Sequence, residues 1–432
     1  MKIVSLKKFK NSKRYKQVMN RGRQNYAAIF PIVKKIMAEV KKDGDVAIKK
    51  YTLKFDGVKI KDIRVNRQEI RQAYKDVSQK FIRSMEQACK NITRVSGDQI
   101  PQTNKRTVEP ATGINVWTEW RPIEKVGLYV PGGKAFYPSS VLMNAIPAKI
   151  AGCKQIIITT PPQKNGKISP ELLVTADKLG IKEIYKVGGV QAIAALTYGT
   201  KTIPKVYKIV GPGNAYVAAA KLTALMSGEV AIDSPAGPSE VFIIADETAN
   251  PKFVAADLMC DAEHGDDSVA VLITTSKKLA GQVIREIKNR INQFSTKDRI
   301  KKSIKQYGLF ATVDSIDEAV DFANNYAPEH IQIMTAQANK VAKKIINAGS
   351  VFIGDYTCKS AGDYATGANH VLPTGGSAKM FAGLSVLDFI RPMEYQQCTK
   401  QGLKNIKNTI ETFAEVEKLP AHKYSCSMRF ND

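Results

Sequence analysis

The stretch VGLYVPGGKAFYPSSVLMNAIPAKIAGCKQIIITT at residues 126–160 predicts the fold. Its two ends are short runs rich in β-branched residues, and its middle has a helical texture that follows a turn rich in glycine and proline. Strand, helix and strand in this order form a right-handed crossover between parallel strands. The stretch therefore predicts a parallel β-sheet covered by helices.

The same alternation continues along the chain. Strand-like runs recur as EIYKV at 183, VYKIV at 206, EVFIIAD at 240, VAVLITTS at 269, LFATV at 309 and SVFIG at 350. Helical stretches separate them, near 170, at 191–196 and 215–225, and from 251, 277 and 316. Regular alternation of this kind predicts an α/β fold with two doubly wound domains.

Extensions are expected at both ends of these domains. The predicted organisation is a basic, weakly structured arm of residues 1–24, a first, discontinuous α/β domain of residues 25–125 and 239–378, a second α/β domain of residues 126–238, and a helical C-terminal extension of residues 379–432. Within the first domain, the apolar spacing predicts helices over about 27–55 and 67–93. The C-terminal extension is predicted to be helical because it has no strand texture.

The composition excludes several classes of protein. With 432 residues, 44% of them hydrophobic and 24% charged, the chain can bury at least one full-sized core. No run of about 18 apolar residues is present, and the first residues lack the apolar middle part of a secretory signal, so we expect neither membrane insertion nor export. The six cysteines form no CxxC pair, which indicates reduced thiols in the cytoplasm rather than disulfides.

The formal net charge of +25 raises nucleic acid as a partner. Most of the basic residues are lysines, however, and no arginine lies between Arg121 and Arg285, whereas base recognition favours arginine. A compositional drift toward lysine explains this distribution better, so no nucleic-acid partner is predicted. The basic residues that precede the first acidic one, Glu39, are expected to lie on an acidic neighbour, with a nucleic-acid arm as the alternative.

Loops rich in glycine and proline follow several of the predicted strands. They are PGGK at 131–134, VGGVQ at 187–191, VGPGNAY at 210–216 and SPAGPSE at 234–240. In an open parallel sheet, ligands bind beyond the carboxyl ends of the strands, where such loops let backbone approach a ligand closely. Together the four loops predict a nucleotide cofactor site, although each alone is compatible with a simple turn. The GxGxxG fingerprint is missing, so a dinucleotide must be held in another way.

The four histidines occur in unusual surroundings. They are His264, His330, His370 and His422. His264 follows Asp261 by three residues, a helical spacing that suits a shared metal ion and equally suits an ordinary side-chain pair. His330 directly follows Glu329 after a proline, which predicts an acid and an imidazole on a rigid loop, available for acid and base chemistry. Asp363 and His370 fall on a glycine-rich loop after a strand.

Motifs from about Tyr51 to Lys423 resemble those of the histidinol dehydrogenase family. They are YTLKFDG at 51–57, VGLYVPGG at 126–133, GPGNAYV at 211–217, DSPAGPSE at 233–240, AEHG at 262–265, YAPEH at 326–330 and SAGDYATGANHVLPT at 360–374. Their number and order make the resemblance specific. It implies two incomplete Rossmann-like domains with small N- and C-terminal extensions, and a homodimer in which the C-terminal tail of one subunit completes the active site of the other. It also implies that one zinc ion per subunit and two NAD serve to oxidise L-histidinol to L-histidine through an aldehyde.

The resemblance implies roles for individual residues as well. The zinc ligands would be Asp261, His264 and Asp363 of one subunit and His422 of the other. The catalytic pair would be Glu329 and His330, with His330 taking the hydroxyl proton and Glu329 activating water for attack on the aldehyde. The implied substrate contacts are Ser239, Asp261, His264, His330, Asp363, His370, Glu417 and His422, and the implied cofactor contacts are Tyr129, Gln191 and Asn214.

Two positions depart from the pattern of the family. Asp261 stands where the family has glutamine, and Lys359 stands where it has glutamate. We expect Lys359 to offset the additional carboxylate, either by pairing with Asp261 or by lying within a Debye length of roughly 8 Å. The alternative is a lysine that points into solvent and an independent replacement at 261.

Three other interpretations stay open at this stage. A cysteine thioester route to the acid would use Cys260 or Cys358, which lie close in sequence to the implied ligands. A paralogue with the same fold, zinc and NAD would oxidise another small alcohol. A non-catalytic protein that binds nucleic acid would explain the net charge, but Glu329 and His330 weigh against it.

Overall fold

Two parallel β-sheets and a small antiparallel sheet organise the chain in the computed structural model, which describes residues 1–21, 26–101, 107–132, 137–234 and 237–430. The strands are β1 (Ile3–Ser5), β2 (Val108–Ala111), β3 (Ile114–Pro122), β4 (Lys125–Tyr129), β5 (Gln155–Thr160), β6 (Glu183–Lys186), β7 (Lys208–Val210), β8 (Ala231–Ile232), β9 (Glu240–Ala245), β10 (Val269–Thr274), β11 (Leu309–Thr312), β12 (His330–Met334), β13 (Ser350–Ile353) and β14 (Ile390–Cys398).

Helices connect these strands and cover the sheets. They are α1 (Leu6–Lys10), α2 (Lys13–Met19), α3 (Phe30–Asp43), α4 (Asp45–Asp56), α5 (Arg67–Asp76), α6 (Gln79–Asp98), α7 (Pro138–Ala151), α8 (Pro170–Lys178), α9 (Gly189–Tyr198), α10 (Ala215–Met226), α11 (Pro251–Ala262), α12 (Lys277–Arg290), α13 (Lys297–Tyr307), α14 (Ile316–Tyr326), α15 (Ala338–Ala342), α16 (Lys359–Tyr364), α17 (Lys400–Val416) and α18 (Pro420–Ser427). Within the described ranges, no helix combines the length and hydrophobicity that crossing a membrane requires.

The strands of the two larger sheets all run parallel. One sheet has the order β1-β11-β10-β9-β12-β13, and the other has the order β6-β5-β4-β7-β8. The strands β9, β10 and β12 are buried along their whole length, as expected for parallel strands covered on both faces. The predicted α/β class with parallel, Rossmann-like sheets is confirmed.

The helices of residues 30–98 cover the five-stranded sheet. The apolar face of α3 packs against α9 and α10, and α5 and α6 pack against α8 and α7. The sequence prediction grouped residues 25–125 with 239–378, and the packing of these helices does not follow that grouping. Apolar periodicity determines which face of a helix is buried, but it does not specify which sheet the helix covers.

Each of the two long helical patterns forms two helices. Gly44 separates α3 from α4 with a φ of +52°, a conformation that residues with a Cβ rarely adopt. Ser78 begins α6 by accepting a hydrogen bond from the backbone N–H of Phe81. These local signals end the helices although the apolar spacing continues through them.

Most of the N-terminal arm is part of the six-stranded sheet. Strand β1 pairs with β11, with Ile3 opposite Phe310, and Leu6 and Phe9 of α1 are buried beneath that sheet. The prediction of a weakly structured arm is therefore wrong for residues 3–19. The prediction followed the many lysines of the segment, but a few well-spaced apolar side chains are enough to pack it against the sheet. Residues 22–24 of the predicted arm lie outside the described residues.

The C-terminal extension contains a strand as well as helices. The nine residues of β14 pair antiparallel with β3, in a sheet of order β14-β3-β2. The prediction of a purely helical extension is wrong in this segment. Most side chains of β14 are exposed, so it has no buried alternating pattern, and its Pro392 is tolerated because β14 is an edge strand.

The segment around His330 is also a strand. His330 is the first residue of β12, which lies between β9 and β13 and pairs His330 with Val241 and Ser350. The prediction of a loop at this position is wrong, because the preceding proline ends α14 two residues earlier and a strand begins at once. The imidazole is therefore attached to the central part of a sheet.

Candidate active site

A cavity of about 540 Å³ is lined by residues from both parallel sheets. Tyr129 at the end of β4 and Asn214 after β7 line it from the carboxyl ends of the five-stranded sheet, as the loops predict. Glu329 and His330 line it from the start of β12, at the amino end of a strand in the six-stranded sheet. The cavity thus joins three of the four predicted cofactor loops to the predicted catalytic pair, whereas no residue of VGGVQ at 187–191 lines it.

The backbone of Glu240 holds both members of that pair. The N–H of Glu240 donates to Glu329 Oε2 at 2.8 Å, and the carbonyl oxygen of Glu240 lies 3.0 Å from His330 Nδ1. A carbonyl oxygen only accepts, so Nδ1 carries the proton and Nε2 is the basic nitrogen. The two side chains also contact each other, with 3.5 Å between His330 Nδ1 and Glu329 Oε2.

Both side chains are buried, and this burial shifts their pKa values. Desolvation raises the pKa of Glu329, and the neighbouring His330 only partly offsets this. Desolvation is the largest influence on the pKa of His330 and lowers it, but the charge and hydrogen bond of Glu329 and the charge of Asp261 together outweigh it, so the net shift is upward. An acid and a base whose ionisation is shifted by burial and by each other are typical of a catalytic centre.

Three side chains of metal-ligand type converge beside the cavity. One ligand atom from each of Asp261, Glu329 and His330 lies within 4.8 Å of the others. Asp261 is fully buried on α11, and its Oδ2 has no hydrogen-bond partner among the described residues. Asp363 on α16 is also close, with its Oδ1 4.0 Å from His330 Nε2.

Lys359 lies between the two aspartates. Its Nζ is 2.9 Å from Asp261 Oδ1 and 2.9 Å from Asp363 Oδ2, and the residue is only 2% exposed. The contact with Asp363 is a hydrogen bond, whereas the contact with Asp261 is an ion pair at an angle unsuited to a hydrogen bond. The predicted pairing of Lys359 with Asp261 is confirmed, and the alternative of a lysine in solvent is wrong.

Two further histidines lie at the cavity. His264 is partly exposed, with its Nδ1 3.8 Å from Asp261 Oδ1. His370 Nδ1 lies 3.0 Å from the carbonyl oxygen of Asp363, and its Nε2 lies 3.4 Å from Ser140 Oγ. Burial lowers the pKa of His370 to about 4, so this imidazole is neutral near pH 7.

The predicted cofactor and substrate contacts differ in their positions. Ser239, Tyr129 and Asn214 line the cavity. Gln191 is not among the lining residues; it is buried on α9, and its Oε1 has no hydrogen-bond partner among the described residues. Gly211 has a φ of +116°, and a Cβ there would lie 2.1 Å from the carbonyl oxygen of Tyr129, so only glycine lets this loop pass the strand end.

The predicted tail residues lie away from this cavity. Glu417 directly follows α17 and His422 lies on α18, and both side chains are exposed. Neither lines the cavity that the described residues of the chain form. Apolar side chains of the same segment, Phe413 and Val416, are also exposed, at 63% and 77%.

Two residues of the site were missed in the sequence. Glu240 supplies the backbone contacts of the catalytic pair, and its carboxylate accepts two 2.7 Å hydrogen bonds from Arg21. Glu240 had a signal, because a charged residue begins an otherwise apolar, fully buried strand. Arg21 had none, because it resembles the other basic residues of the N-terminal arm.

The cysteines give no support to the thioester route. Burial raises the pKa of the Cys260 thiol to about 12, which removes the thiolate that such a route needs. Neither Cys260 nor Cys358 lines the cavity, and none of the six cysteines forms a disulfide.

The sequence and the fold match one family of known proteins. The family model described as "Histidinol dehydrogenase" matches residues 19–430. The chain belongs to the histidinol dehydrogenase family. The histidinol dehydrogenase of Methanocaldococcus jannaschii is 48% identical over 406 residues, 94% of each chain, and that of Bacteroides thetaiotaomicron is 44% identical over 429 residues, 99% of each chain. The crystal structure of histidinol dehydrogenase from Elizabethkingia anophelis matches with a TM-score of 0.92 and 45% identity, over 96% of this chain and 95% of that one.

This match confirms the resemblance found in the sequence. The histidinol dehydrogenase family, its oxidoreductase class and its part in histidine biosynthesis are confirmed for the chain. The interpretation as a non-catalytic nucleic-acid-binding protein is thereby set aside.

Proposed function

We propose that the protein is a cytoplasmic, zinc- and NAD-dependent enzyme that oxidises L-histidinol to L-histidine through the aldehyde. The observation that carries this proposal is the buried pair of Glu329 and His330 at a cavity that also includes Tyr129 and Asn214. Two oxidations at one site need a base for the alcohol and a group that activates water for the aldehyde. The pair offers both.

His330 is the base for the alcohol step. Its Nδ1–H is held by the carbonyl oxygen of Glu240, which directs the lone pair of Nε2 away from that strand. The hydroxyl proton of the substrate passes to Nε2 as hydride leaves the carbinol carbon. Attachment to β12 and β9 fixes the imidazole against rotation.

Glu329 serves the aldehyde step. Its Oε2 is engaged by the N–H of Glu240, so the other carboxylate oxygen is the one that can take a proton from water. Its raised pKa, caused by burial, makes the carboxylate a stronger base than an exposed glutamate. The water oxygen then adds to the aldehyde carbon, and a second hydride leaves.

The residues at the cavity fit zinc and NAD. Two carboxylates and an imidazole, from Asp261, Asp363 and His264, are donors that zinc accepts, and the buried Oδ2 of Asp261 lacks another partner. For NAD, the loop at Gly211 passes close to Tyr129, and Asn214 begins α10 at the cavity. When bound, zinc orients the substrate through open coordination positions, and NAD accepts the hydride.

Two further proposed contacts, Glu417 and His422, belong to a second copy of the chain. Glu417 and His422 are exposed beside Phe413 and Val416, an arrangement that suits a segment covered by another subunit. In a homodimer, His422 of one subunit would complete the zinc ligands of the other, with Glu417 at the substrate. Gln191, Ser239 and His370 complete the proposed binding sites for NAD and substrate.

The stoichiometry of NADH tests this function. With L-histidinol limiting, two NADH per substrate and little released aldehyde are expected, because the aldehyde meets Glu329 in the site where it forms. One NADH per substrate with accumulating aldehyde would contradict the proposal. A panel of other small alcohols oxidised faster than L-histidinol would point instead to the paralogue.

A further inference from the structure

Lys359 is the lysine that pairs with both aspartates beside the cavity. Asp261 is fully buried, Asp363 is 6% exposed, and both oxygens nearest to Lys359 lie 2.9 Å from its Nζ. Two buried carboxylates without a cation between them would repel each other and would each lack solvation. The ammonium group therefore makes this arrangement of carboxylates stable in the protein alone.

We propose that the ammonium group of Lys359 is a built-in cation that assembles Asp261 and Asp363 without metal and competes with zinc for both of them. This inference rests on the zinc part of the proposed function. It explains the two positions at which the chain departs from the family, Asp261 and Lys359, by a single ion pair between them.

The position of Lys359 is set by the backbone as well as by its charge. The N–H of Lys359 donates to Asp257 Oδ1 at 3.2 Å, one turn before Asp261 on the same helix, α11. Lys359 and Asp363 lie four residues apart on α16, so one helix supplies both the ammonium and one carboxylate. At Gly362 a Cβ would lie 2.6 Å from the ring of Phe352, which shows how closely α16 packs. The lysine therefore has little freedom to leave.

The cavity is lined by the lysine and not by Asp261, with which the lysine pairs. Lys359 and Asp363 line the cavity, whereas Asp261 is not among the lining residues. A zinc ion that bound Asp261 from the cavity would come close to the ammonium, because Lys359 Nζ lies 2.9 Å from Asp261 Oδ1. If zinc bound both carboxylates, the zinc ion and the ammonium group of Lys359 would lie within a few ångströms of each other. Repulsion between two positive charges at that distance is strong in a buried site.

Zinc affinity and the stability of the metal-free protein test the proposal together. Lys359→Met removes the charge and keeps much of the apolar stem. Competition against a chromogenic chelator is expected to give at least tenfold tighter zinc binding in the variant than in the wild type. Thermal unfolding of the chelator-treated proteins is expected to give a lower melting temperature for the variant, because two buried carboxylates lose their cation.

Lys221→Met is the matched control. Lys221, on α10, is also 2% exposed and is also paired with a buried carboxylate, that of Asp233. This variant is expected to lower the melting temperature but to leave zinc affinity unchanged. A general effect of losing a buried lysine is thereby separated from competition for the metal.

A second pair of variants serves if Lys359→Met fails to fold. Asp261→Asn and the double variant Asp261→Asn/Lys359→Met differ only by the lysine, and the double variant removes one charge of each sign. The proposal expects the double variant to bind zinc more tightly than Asp261→Asn. Equal or weaker zinc binding after loss of Lys359, in either background, would overturn the proposal.

Failure of the inference and failure of the proposed function are distinguishable. If no protein of the series binds zinc, the proposal is overturned, while NADH formation from L-histidinol separately reports whether the oxidation occurs. If Lys359→Met leaves zinc affinity unchanged but L-histidinol still yields two NADH, the proposed function is supported. The proposed competition between Lys359 and zinc is then wrong.

Discussion

The guanidinium group of Arg21 forms two 2.7 Å hydrogen bonds with the carboxylate of Glu240. It also stacks 3.3 Å from the ring centroid of Tyr326 and donates to the carbonyl oxygen of that residue. Because the backbone of Glu240 contacts both Glu329 and His330, this pair ties the N-terminal segment to the catalytic centre.

Loss of this guanidinium group is expected to impair both stability and catalysis. Arg21→Met leaves the buried carboxylate of Glu240 without its cation, although the hydrogen bond from the N–H of Gly375 remains. The free energy of unfolding, measured by urea denaturation, should fall by about 3 to 5 kcal/mol. Under conditions in which the variant is still folded, kcat should also fall, because Glu240 no longer holds Glu329 and His330 in place. Arg21→Lys keeps the charge but not the bidentate geometry, so its stability and its kcat should lie between those of the wild type and of Arg21→Met.

Arg14→Met is the control for this prediction. Arg14 is exposed on the same segment and donates to the carbonyl oxygen of Gly308. Its loss should leave kcat unchanged. An equal fall of kcat in both variants would mean that the segment as a whole, rather than the pair with Glu240, supports the site.

The two catalytic residues are expected to separate the two oxidations. His330→Asn should slow the alcohol step by about 100-fold or more, since it removes the general base. Glu329→Gln keeps the shape that accepts the N–H of Glu240 but loses the base, so it should slow oxidation of the aldehyde more than that of the alcohol. Rates with L-histidinol and with the aldehyde, measured separately, give the comparison.

The exposed Glu247 provides a control, as Glu247→Gln should change neither rate. If Glu329→Gln slowed both steps equally, the proposed division between Glu329 and His330 would be wrong.

Two inactive variants are expected to regain activity when their subunits are combined in one dimer. His422→Ala and His330→Ala should each be inactive alone, because the proposed site takes His330 from one subunit and His422 from the next. After mixing and subunit exchange, a mixed dimer contains one site with both histidines, and part of the NADH-forming activity should return. No recovery, with exchange demonstrated by tagged subunits, would place His422 in the site of its own chain.

Asp56 should make stability depend on pH. It is the last residue of α4, where the helix dipole disfavours a negative charge, and burial raises its pKa from 3.8 to about 6. Between these values the folded protein holds a proton that the unfolded chain releases, so stability falls as pH rises through this window. Asp56→Asn should therefore melt at a higher temperature than wild type above pH 6, and the difference should shrink toward pH 4.

Asp43 ends α3 in the same way but is exposed, so Asp43→Asn serves as the control for Asp56→Asn. A gain in melting temperature for Asp56→Asn that is the same at pH 4 and pH 7.5 would contradict the assigned cause.

The strands that could be predicted are those buried on both faces. The run QIIITT forms β5 at the predicted residues, since continuous β-branched residues have few other stable states. The strand β14 could not be predicted, because its stability comes from pairing with β3 rather than from burial of its own side chains. Long-range pairing leaves little trace in a local pattern.

The same limit applies to the site. Glu329 and His330 are neighbours in sequence, so their partnership was visible before the fold was known. The pairing of Lys359 with Asp261 was accessible only as one alternative, because the two residues are about a hundred positions apart and no spacing rule connects them. The role of Arg21 could not be predicted, since nothing in the local sequence distinguishes it from the basic residues around it.

The pairing of β1 with β11 also constrains the order in which the molecule can be built. Ile3 is synthesised long before its partner Phe310, which lies 307 positions further along the chain. The six-stranded sheet therefore cannot close early, whereas the five-stranded sheet and the helices of residues 30–98 that cover it precede β9 in the chain, and most of their shared core can form while synthesis proceeds. Until β11 is synthesised, the apolar side chains of Leu6 and Phe9 have no sheet to cover, and they are open to contacts with other chains.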